Sequence, residues 1–153
     1  MTEGKKVAYQ SCWESILALC EGERDEVALM SSIVCVLHCE MKGFFWTGFY
    51  RVIDEELVIG PYQGTVGCLR IAFGKGVCGT AAQTGETQVV EDVHEFSGHI
   101  TCDARSRSEI VVPVRNSEGE LIAVLDIDSE QVAMFDDEDR VKLEEIVQIF
   151  ARD

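Results

Sequence analysis

Three of the seven cysteines in this 153-residue sequence lie among glycine and polar residues. Cys68 follows a glycine, Cys78 lies within a glycine-rich stretch, and Cys102 lies in a segment with few apolar residues. A thiol adds little to packing in such surroundings, but solvent or a substrate can reach it. These three residues are therefore candidates for nucleophilic or redox chemistry.

The charged neighbours of Cys102 act on its ionisation in opposite directions. Arg105 and Arg107 would stabilise the thiolate, which is the nucleophilic form, whereas Asp103 would oppose it. A catalytic zinc ion held by the three cysteines and a histidine of the same segment is an alternative, but the spacings match no zinc motif. We therefore expect no metal site.

The other four cysteines lie on two predicted N-terminal helices: Cys12, Cys20, Cys35 and Cys39. Free cysteine among apolar neighbours usually acts as a small buried hydrophobe. Cys35, His38 and Cys39 share a helix face and form an alternative metal-binding set, but a fourth ligand and the paired cysteine knuckles of structural zinc are missing. We predict that these cysteines belong to the core.

Aromatic residues at a spacing of two indicate a binding surface on one strand. Trp46, Gly48 and Tyr50 would point to the same side of that strand, and the missing side chain at Gly48 could leave a recess between two rings. Aromatic faces attract positively charged groups. The alternative is an aromatic pair that only packs in the core, with a glycine bulge between its members.

Three carboxylic acids are placed to bind a cation or to donate a proton. Asp126 and Asp128 share one face of a predicted strand, and their mutual repulsion raises one pKa, which keeps a proton available. Glu109 begins another apolar strand directly after the Cys102 segment. The alternative for all three is a solvent-exposed position at a strand end.

Composition limits the class of protein and its partners. The chain has 28 acidic and 13 basic residues, and the resulting net charge of −15 disfavours nucleic acids and membrane surfaces as partners. Its length and its 46% hydrophobic residues predict one domain over residues 1–153 with a substantial core. No segment is long and apolar enough to cross a bilayer, and the N-terminus lacks a signal peptide, so we expect a cytoplasmic protein.

Hydrophobic periodicity predicts the order of the elements. Two helices open the chain, the first with a stripe that includes Ile16 and Leu19, and the second beginning after Asp25 as N-cap and ending before Gly43. Two further helices are predicted over 80–84 and 137–151. The predicted strands cover 44–50, 57–59, 69–73, 88–90, 110–114 and 121–127, with a hairpin across 53–56 and a break at residues 60–61.

These connections favour an α+β fold with a mainly antiparallel central β-sheet and helices packed on it. The segment 91–108 is predicted to be a long surface loop, and long loops in compact domains are usually functional. His94 and His99 lie in this loop and are interpreted as local hydrogen-bonding residues outside the site.

A glycine motif offers a competing interpretation. Gly74, Gly76 and Gly79 satisfy the G-x-G-x-x-G pattern of dinucleotide sites, and acidic residues follow at 91 and 92. No repeated strand-helix-strand unit surrounds the motif, although such a unit is what confirms it. We interpret these glycines as a tight strand-to-helix turn with no space for a side chain.

Four segments closely resemble the free methionine-(R)-sulfoxide reductases, a family built on the GAF domain. They are GPYQGTVGCLRIAFGKGVCGTAA (60–82), FSGHITCD (96–103), SEIVVPV (108–114) and AVLDIDS (123–129). The resemblance implies a GAF-like fold over 1–153 and reduction of free L-methionine (R)-sulfoxide to methionine. It also implies no bound cofactor, thioredoxin as the external reductant, and a homodimer.

The resemblance further implies roles for individual residues. The cysteine that matches Cys102 is the nucleophile, and those that match Cys68 and Cys78 take part in resolution. The substrate-pocket residues of the family fall on Trp46, Tyr50, Glu109, Asp126 and Asp128, of which Glu109 and Asp126 are also candidates for catalysis. Thr65 stands where the family frequently has Lys.

The residue types fit such a reaction. Reduction of a sulfoxide by thiols needs a thiolate that attacks sulfur, a proton donor for the departing oxygen, and a second thiol that converts the sulfenic acid into a disulfide. Two alternatives remain open: a GAF module that senses a small ligand without catalysis, and a cysteine-based redox sensor.

Overall fold

The computed structural model describes residues 3–99 and 102–153 of the chain. Within these ranges it contains four α-helices: α1 (Glu3–Leu19), α2 (Glu26–Glu40), α3 (Gly76–Thr84) and α4 (Asp137–Val147). It contains six strands: β1 (Trp46–Ile53), β2 (Glu56–Gln63), β3 (Arg70–Ala72), β4 (Gln88–Val90), β5 (Ser108–Arg115) and β6 (Leu121–Ser129). Short 3-10 helices span Val93–Glu95 and Gln148–Ala151.

The six strands form one sheet in the order β3-β2-β1-β6-β5-β4, and every neighbouring pair is antiparallel. The predicted hairpin is present: Ile53 pairs with Glu56 around a turn at Asp54 and Glu55. Both turn residues have positive φ, the geometry that lets a two-residue turn follow the twist of its strands. The predicted antiparallel α+β architecture is confirmed.

The two faces of the sheet bury different side chains. One face packs against α2 and α4, with α1 lying on α2, and it contributes Phe49, Leu125 and Ile127 to the larger core. The opposite face packs against α3 and carries Tyr50 and Val124. Since successive strand residues point to opposite faces, the aromatic and acidic candidates of β1 and β6 lie on the α3 face.

Side-chain caps fix the starts of two helices. Asp25 caps α2 as predicted, because its carboxylate accepts a hydrogen bond from the helix backbone at 2.9 Å. Asp136 and Asp139 form a capping box at the start of α4. Asp139 is fully buried and also accepts hydrogen bonds from the Tyr9 hydroxyl and the Lys5 ammonium, each at 2.6 Å, so α4 is tied to α1.

The predicted break at Gly60 and Pro61 is wrong, because β2 continues to residue 63. Proline is tolerated here for two reasons. The register of β2 against β1 shifts between Gly48 and Tyr50, which places residues 60–61 at a bulge. β3 pairs only with residues 56–58 of β2, so no ladder bond from β3 is lost at Pro61.

The helix predictions need three corrections. The predicted core stripe of α1 includes Leu19, but 62% of its surface is exposed. Cys35 and Cys39 are exposed on α2, whereas Cys12 and Cys20 are buried as predicted. The short helix predicted over 80–84 begins earlier, at residue 76. None of the helices in the described ranges is both long and apolar enough to cross a membrane.

Candidate active site

Cys68 and Cys102 form a disulfide bond. Their Cα atoms are 5.8 Å apart, although 34 residues separate them in the sequence. Cys68 lies in the loop between β2 and β3, and Cys102 lies in the loop that precedes β5. The fold therefore brings together two of the three thiols that the sequence singled out.

Cys78 does not lie in an accessible loop, and this part of the prediction is wrong. Because α3 begins at Gly76, Cys78 lies in its first turn, where only 4% of the residue is exposed. Its Sγ atom is 3.9 Å from Oε2 of Glu109. Burial, reinforced by the nearby carboxylates of Asp126 and Glu109, raises the pKa of the Cys78 thiol well above its ordinary value. At neutral pH this residue is therefore a protonated thiol.

Three carboxyl groups are gathered on the α3 face of the sheet. Glu109 on β5 is the register partner of Asp128 on β6, which in turn faces Trp46 on β1. Asp126 lies two residues earlier on β6, opposite Gly48. Glu109 and Asp126 are buried and Asp128 is half-buried, so the prediction that these positions could simply be solvated strand ends is not supported.

Burial raises the pKa of all three carboxyl groups. For Glu109 the charges of Asp126 and Asp128 add to the effect of burial, and for Asp128 the charge of Asp126 does the same. The pKa of Asp126 is raised by burial as well, but hydrogen bonds from Glu109 and Cys78 partly offset this by favouring its ionised form. The cluster therefore favours an ionised Asp126 beside a protonated Glu109.

The aromatic residues line the same face as predicted, but Gly48 leaves no recess. Trp46 stacks on Tyr50 with ring centroids 5.9 Å apart, and on Tyr62 with centroids 5.2 Å apart. A Cβ atom at Gly48 would lie 2.6 Å from the Trp46 ring and 2.4 Å from Cβ of Tyr62. The indole of Trp46 therefore fills the space that a side chain at Gly48 would need.

Polar contacts link the two loops that carry the disulfide. Nε1 of Trp46 donates a hydrogen bond to the carbonyl oxygen of Thr65 at 2.7 Å. The Thr65 hydroxyl donates to Oδ2 of Asp103 at 2.8 Å, and Arg105 pairs with the same carboxylate at 2.9 Å. Because Asp103 directly follows Cys102, the Thr65–Asp103 hydrogen bond joins the two loops independently of the covalent bond, while Trp46 and Arg105 fix its two members.

The two arginines near Cys102 have carboxylate partners of their own. Arg105 pairs with Asp103, and Arg107 pairs with Asp92 at 3.3 Å. Hydrogen bonds from Arg105 hold the pKa of Asp103 well below its ordinary value. The expected stabilisation of a Cys102 thiolate by these arginines is therefore weakened, because each positive charge is already paired.

The three carboxyl groups, Cys78 and Cys102 share one pocket with two of the aromatic rings, and its empty volume is about 550 Å³, part of which is open to solvent. The sequence-predicted residues in its lining are Trp46, Tyr50, Cys78, Cys102, Glu109, Asp126 and Asp128. The lining also includes residues that sequence reasoning missed: Phe45, Lys75, His99, Asp103 and Ser106. The prediction that His99 lies outside the site is wrong, since its Nε2 is 3.9 Å from Oε1 of Glu109.

The missed residues left only weak signals in the sequence. His99 lies three residues before Cys102 in a loop that was itself predicted to be functional, and this proximity was the available indication. Lys75 lies between two glycines of the glycine motif, and this setting gives no indication of a binding role. Phe45 precedes Trp46, and in a strand such a neighbour is expected to point to the opposite face.

Other predicted groupings do not assemble in the pocket. His38, a member of the disfavoured metal-binding alternative with exposed Cys35 and Cys39, has its Nδ1 atom 3.1 Å from the Thr47 hydroxyl. The glycine motif forms the predicted tight strand-to-helix turn, since a Cβ atom at Gly79 would lie 2.5 Å from the carbonyl oxygen of Ala72. Within the described residues, potential metal ligands converge only at Cys78, Glu109 and Asp126.

The arrangement defines the chemistry available to this pocket. A disulfide at its edge can accept two electrons and two protons, and the thiols so formed can return them to a substrate. A buried neutral carboxyl can donate a proton, while an ionised one beside aromatic rings can bind a cationic group. The pocket therefore suits thiol-dependent redox chemistry on a small molecule that carries a positive charge.

Comparison with known proteins identifies the class of this protein. The sequence profile of the GAF domain family matches residues 16–153, and the six-stranded antiparallel sheet agrees with that match. A free methionine-R-sulfoxide reductase from Escherichia coli (strain K12) is 46% identical over 132 residues, which cover 85% of this chain and 78% of that protein.

Two solved structures extend the comparison. The free methionine-R-sulfoxide reductase from Neisseria meningitidis, solved with its substrate, superimposes with a TM-score of 0.91 at 41% identity and covers 99% of this chain and 90% of its own. The fRMsr of Staphylococcus aureus, also solved with substrate, gives a TM-score of 0.88 at 43% identity, covering 94% and 93%. The chain belongs to the GAF domain family and, within it, to the free methionine-R-sulfoxide reductases. The resemblance inferred from the four segments is confirmed.

Proposed function

We propose that this protein reduces free L-methionine (R)-sulfoxide to L-methionine at the expense of a dithiol. The observation that carries the proposal is the Cys68–Cys102 disulfide at the edge of a pocket lined by Glu109, Asp126 and Asp128. The names of the relatives and their solved substrate complexes support the choice of substrate.

Cys102 is the proposed nucleophile because it lines the pocket, whereas Cys68 is not part of the lining. After the disulfide is reduced, the Cys102 thiolate attacks the sulfoxide sulfur. The sulfur–oxygen bond of the substrate breaks as a proton reaches the oxygen, and this oxygen forms a new bond to the Cys102 sulfur. The bond between the Cys102 and substrate sulfur atoms breaks at the same time, and its electron pair stays on the methionine sulfur. Methionine leaves, and Cys102 is oxidised to a sulfenic acid.

Cys68 is the proposed resolving residue because its sulfur already bonds to that of Cys102. Its thiol attacks the sulfenic acid sulfur, a water molecule leaves, and the disulfide forms. An external dithiol then reduces the disulfide. Over one cycle the sulfoxide takes up two electrons and two protons and yields methionine and water, while the external dithiol becomes a disulfide.

The carboxyl cluster supplies the proton and the recognition of the amino acid in this proposal. Protonated Glu109 donates a hydrogen bond to the sulfoxide oxygen and then transfers its proton. Ionised Asp126, assisted by Asp128, accepts the substrate ammonium group. Trp46 and Tyr50 provide the aromatic wall against which the positive character of the attacked sulfur is stabilised.

Cys78 has a different proposed part. It is buried and hydrogen-bonded to the acid cluster, and it lies outside the disulfide. We therefore assign its thiol to the support of the Asp126 carboxylate, and its participation in resolution remains a prediction from the family resemblance.

The wider setting is also proposed from the resemblance. Thioredoxin is the expected dithiol, the chain of 1–153 acts as one GAF unit in the cytoplasm, and two copies form a homodimer. Analytical ultracentrifugation tests the dimer, and turnover with thioredoxin, thioredoxin reductase and reduced nicotinamide tests the reductant.

The proposed function is tested by measuring methionine formation from separate (R) and (S) diastereomers of the free sulfoxide, with dithiothreitol as reductant. We expect turnover of the (R) form alone, and loss of turnover in Cys102→Ser. Binding of the sulfoxide without methionine formation would instead support a ligand-sensing GAF module. Peroxide-driven closure of the disulfide without sulfoxide turnover would support a redox sensor.

A further inference from the structure

Cys78, Glu109 and Asp126 bring three potential metal ligands to one point in the pocket. One ligand atom from each residue lies within 4.8 Å of the other two, and all three residues are buried. Sγ of Cys78 and Oε2 of Glu109 are 3.9 Å apart. A tetrahedral Zn²⁺ bound to a thiolate at about 2.3 Å and a carboxylate at about 2.1 Å separates these two atoms by about 3.6 Å. A small side-chain adjustment therefore closes the coordination.

One oxygen of this cluster points to a bound positive charge, which in the proposed function is the substrate ammonium group and in its absence is open to a cation. Oδ1 of Asp126 is buried and receives no hydrogen bond from the residues that the structure describes. A buried acceptor without a donor is costly, so such an atom indicates a group that binds there. Lys75 and His99 are the basic residues of the pocket lining, and neither satisfies this oxygen.

We propose that Cys78, Glu109 and Asp126 form a binding site for a thiophilic divalent cation, of which Zn²⁺ is the prime example. The half-buried Asp128, or a water molecule, completes the tetrahedron. The cation replaces the proton of the Cys78 thiol and that of Glu109, and both protons are released to solvent. No electron is transferred, so the Cys68–Cys102 pair keeps its redox state.

The donor set defines which cations fit. One thiolate with carboxylate oxygens at close range suits Zn²⁺ or Cd²⁺, whereas Mg²⁺ requires octahedral oxygen coordination and retains several waters. Because Glu109 and Asp126 are also the residues proposed to engage the substrate, the bound cation would exclude the sulfoxide. This inhibition rests on the proposed function, but the binding of the cation does not.

Cadmium is the probe for the test, since a thiolate bound to Cd²⁺ produces an ultraviolet charge-transfer band. The protein is used with its disulfide closed, and Cys35→Ser and Cys39→Ser remove the exposed thiols. We expect one equivalent of Cd²⁺ to bind with a charge-transfer band, and Mg²⁺ to leave the binding unchanged. Cys78→Ser should abolish the band and weaken binding about tenfold or more.

Two further variants separate a ligand role from a loss of structure. Asp126→Asn keeps the thiol and should retain the band while weakening Cd²⁺ binding about tenfold. Asp92→Asn, which alters a carboxylate that pairs with Arg107 outside the cluster, should bind Cd²⁺ like the unmodified pocket. Circular dichroism verifies that each variant is folded.

The outcomes are distinct. Absence of a band in the folded protein, or a band that survives Cys78→Ser, would overturn the proposed site. Turnover of the sulfoxide is measured separately without metal, so its failure would refute the proposed function and leave the cation site intact. If both proposals hold, Zn²⁺ raises the KM for the sulfoxide and leaves kcat unchanged at saturating substrate.

Discussion

Glu109 on β5 and Asp128 on β6 are register partners in the antiparallel sheet, so their carboxyl groups leave the same face side by side. Directly opposite residues in such a pair have Cβ atoms about 4.5–5.5 Å apart. Two carboxylates this close cannot both ionise in a buried site, so at least one holds a proton at neutral pH. Burial raises the pKa of Glu109, the charges of Asp126 and Asp128 raise it further, and together they make Glu109 a proton donor.

The first expectation concerns the pH dependence of catalysis. The pKa of Glu109 is raised above its ordinary value, and its protonated form is the proposed donor. The rate should therefore fall as pH rises through this raised pKa. Glu109→Gln should lower kcat by about 10²–10⁴-fold and remove that limb of the profile. Exposed Glu91→Gln serves as the control, and an unchanged pH profile in Glu109→Gln would exclude the role.

The second expectation is that the carboxyl cluster costs stability. When the pKa of a carboxyl is higher in the folded than in the unfolded protein, the free energy of unfolding falls as pH rises. The fall begins near the pKa of the unfolded state, about 4, and continues up to the pKa of the folded state. The pKa of Asp128 is raised in this way. Asp128→Asn should therefore increase the free energy of unfolding by about 1–3 kcal/mol at pH 8 and much less near pH 4. Urea titrations at both pH values measure this, and an equal change at both, or a destabilisation at pH 8, would contradict it.

The third expectation concerns the contacts between the two disulfide loops. Asp103 accepts a hydrogen bond from Thr65 of the other loop, and this bond keeps Cys102 close to Cys68 after reduction, while Arg105 fixes the Asp103 carboxylate. Asp103→Asn should make the disulfide easier to reduce by about three- to tenfold in the exchange equilibrium with dithiothreitol. The matched control is Asp92→Asn. Identical equilibria for Asp103→Asn and the unmodified protein would show that the disulfide alone sets the loop spacing.

The fourth expectation concerns the position of Trp46. The indole occupies the space beside Gly48 that a Cβ atom would need. Gly48→Ala should displace the ring, destabilise the protein by about 1–3 kcal/mol and raise the KM for the sulfoxide. Gly4→Ala, at a position with no neighbouring atom within 4 Å, is the comparison. Steady-state kinetics with an unaltered KM would remove the aromatic wall from substrate binding.

Much of the fold could be predicted from local patterns. Asp25 was identified as an N-cap, and the hairpin at Ile53 to Glu56 was located, because capping and tight turns depend on nearby residues. The strand break predicted at Pro61 is wrong because proline is tolerated there. Its tolerance depends on a bulge and on β3 ending before this position, which only the sheet register shows. The predicted burial of Leu19 is wrong because helical periodicity does not show how far the neighbouring elements extend along the helix.

For the candidate site too, local spacing could be predicted from the sequence and tertiary contacts could not. A spacing of two was enough to place Trp46 with Tyr50 and Asp126 with Asp128, since side chains alternate along a strand. The burial of Cys78 could not be predicted, because it depends on where α3 begins and on how that helix packs against the sheet. The choice of Cys68 as the partner of Cys102 depends on two loops that meet only in three dimensions.

The most direct test of the central claim is a single-turnover measurement on reduced Cys68→Ser with (R)-sulfoxide and no external reductant. If Cys102 attacks and Cys68 resolves, each active site should release one methionine, and the protein should gain the mass of one oxygen atom as a sulfenic acid that dimedone traps on Cys102. Release of no methionine, or an oxygen trapped on Cys78 instead, would contradict the account.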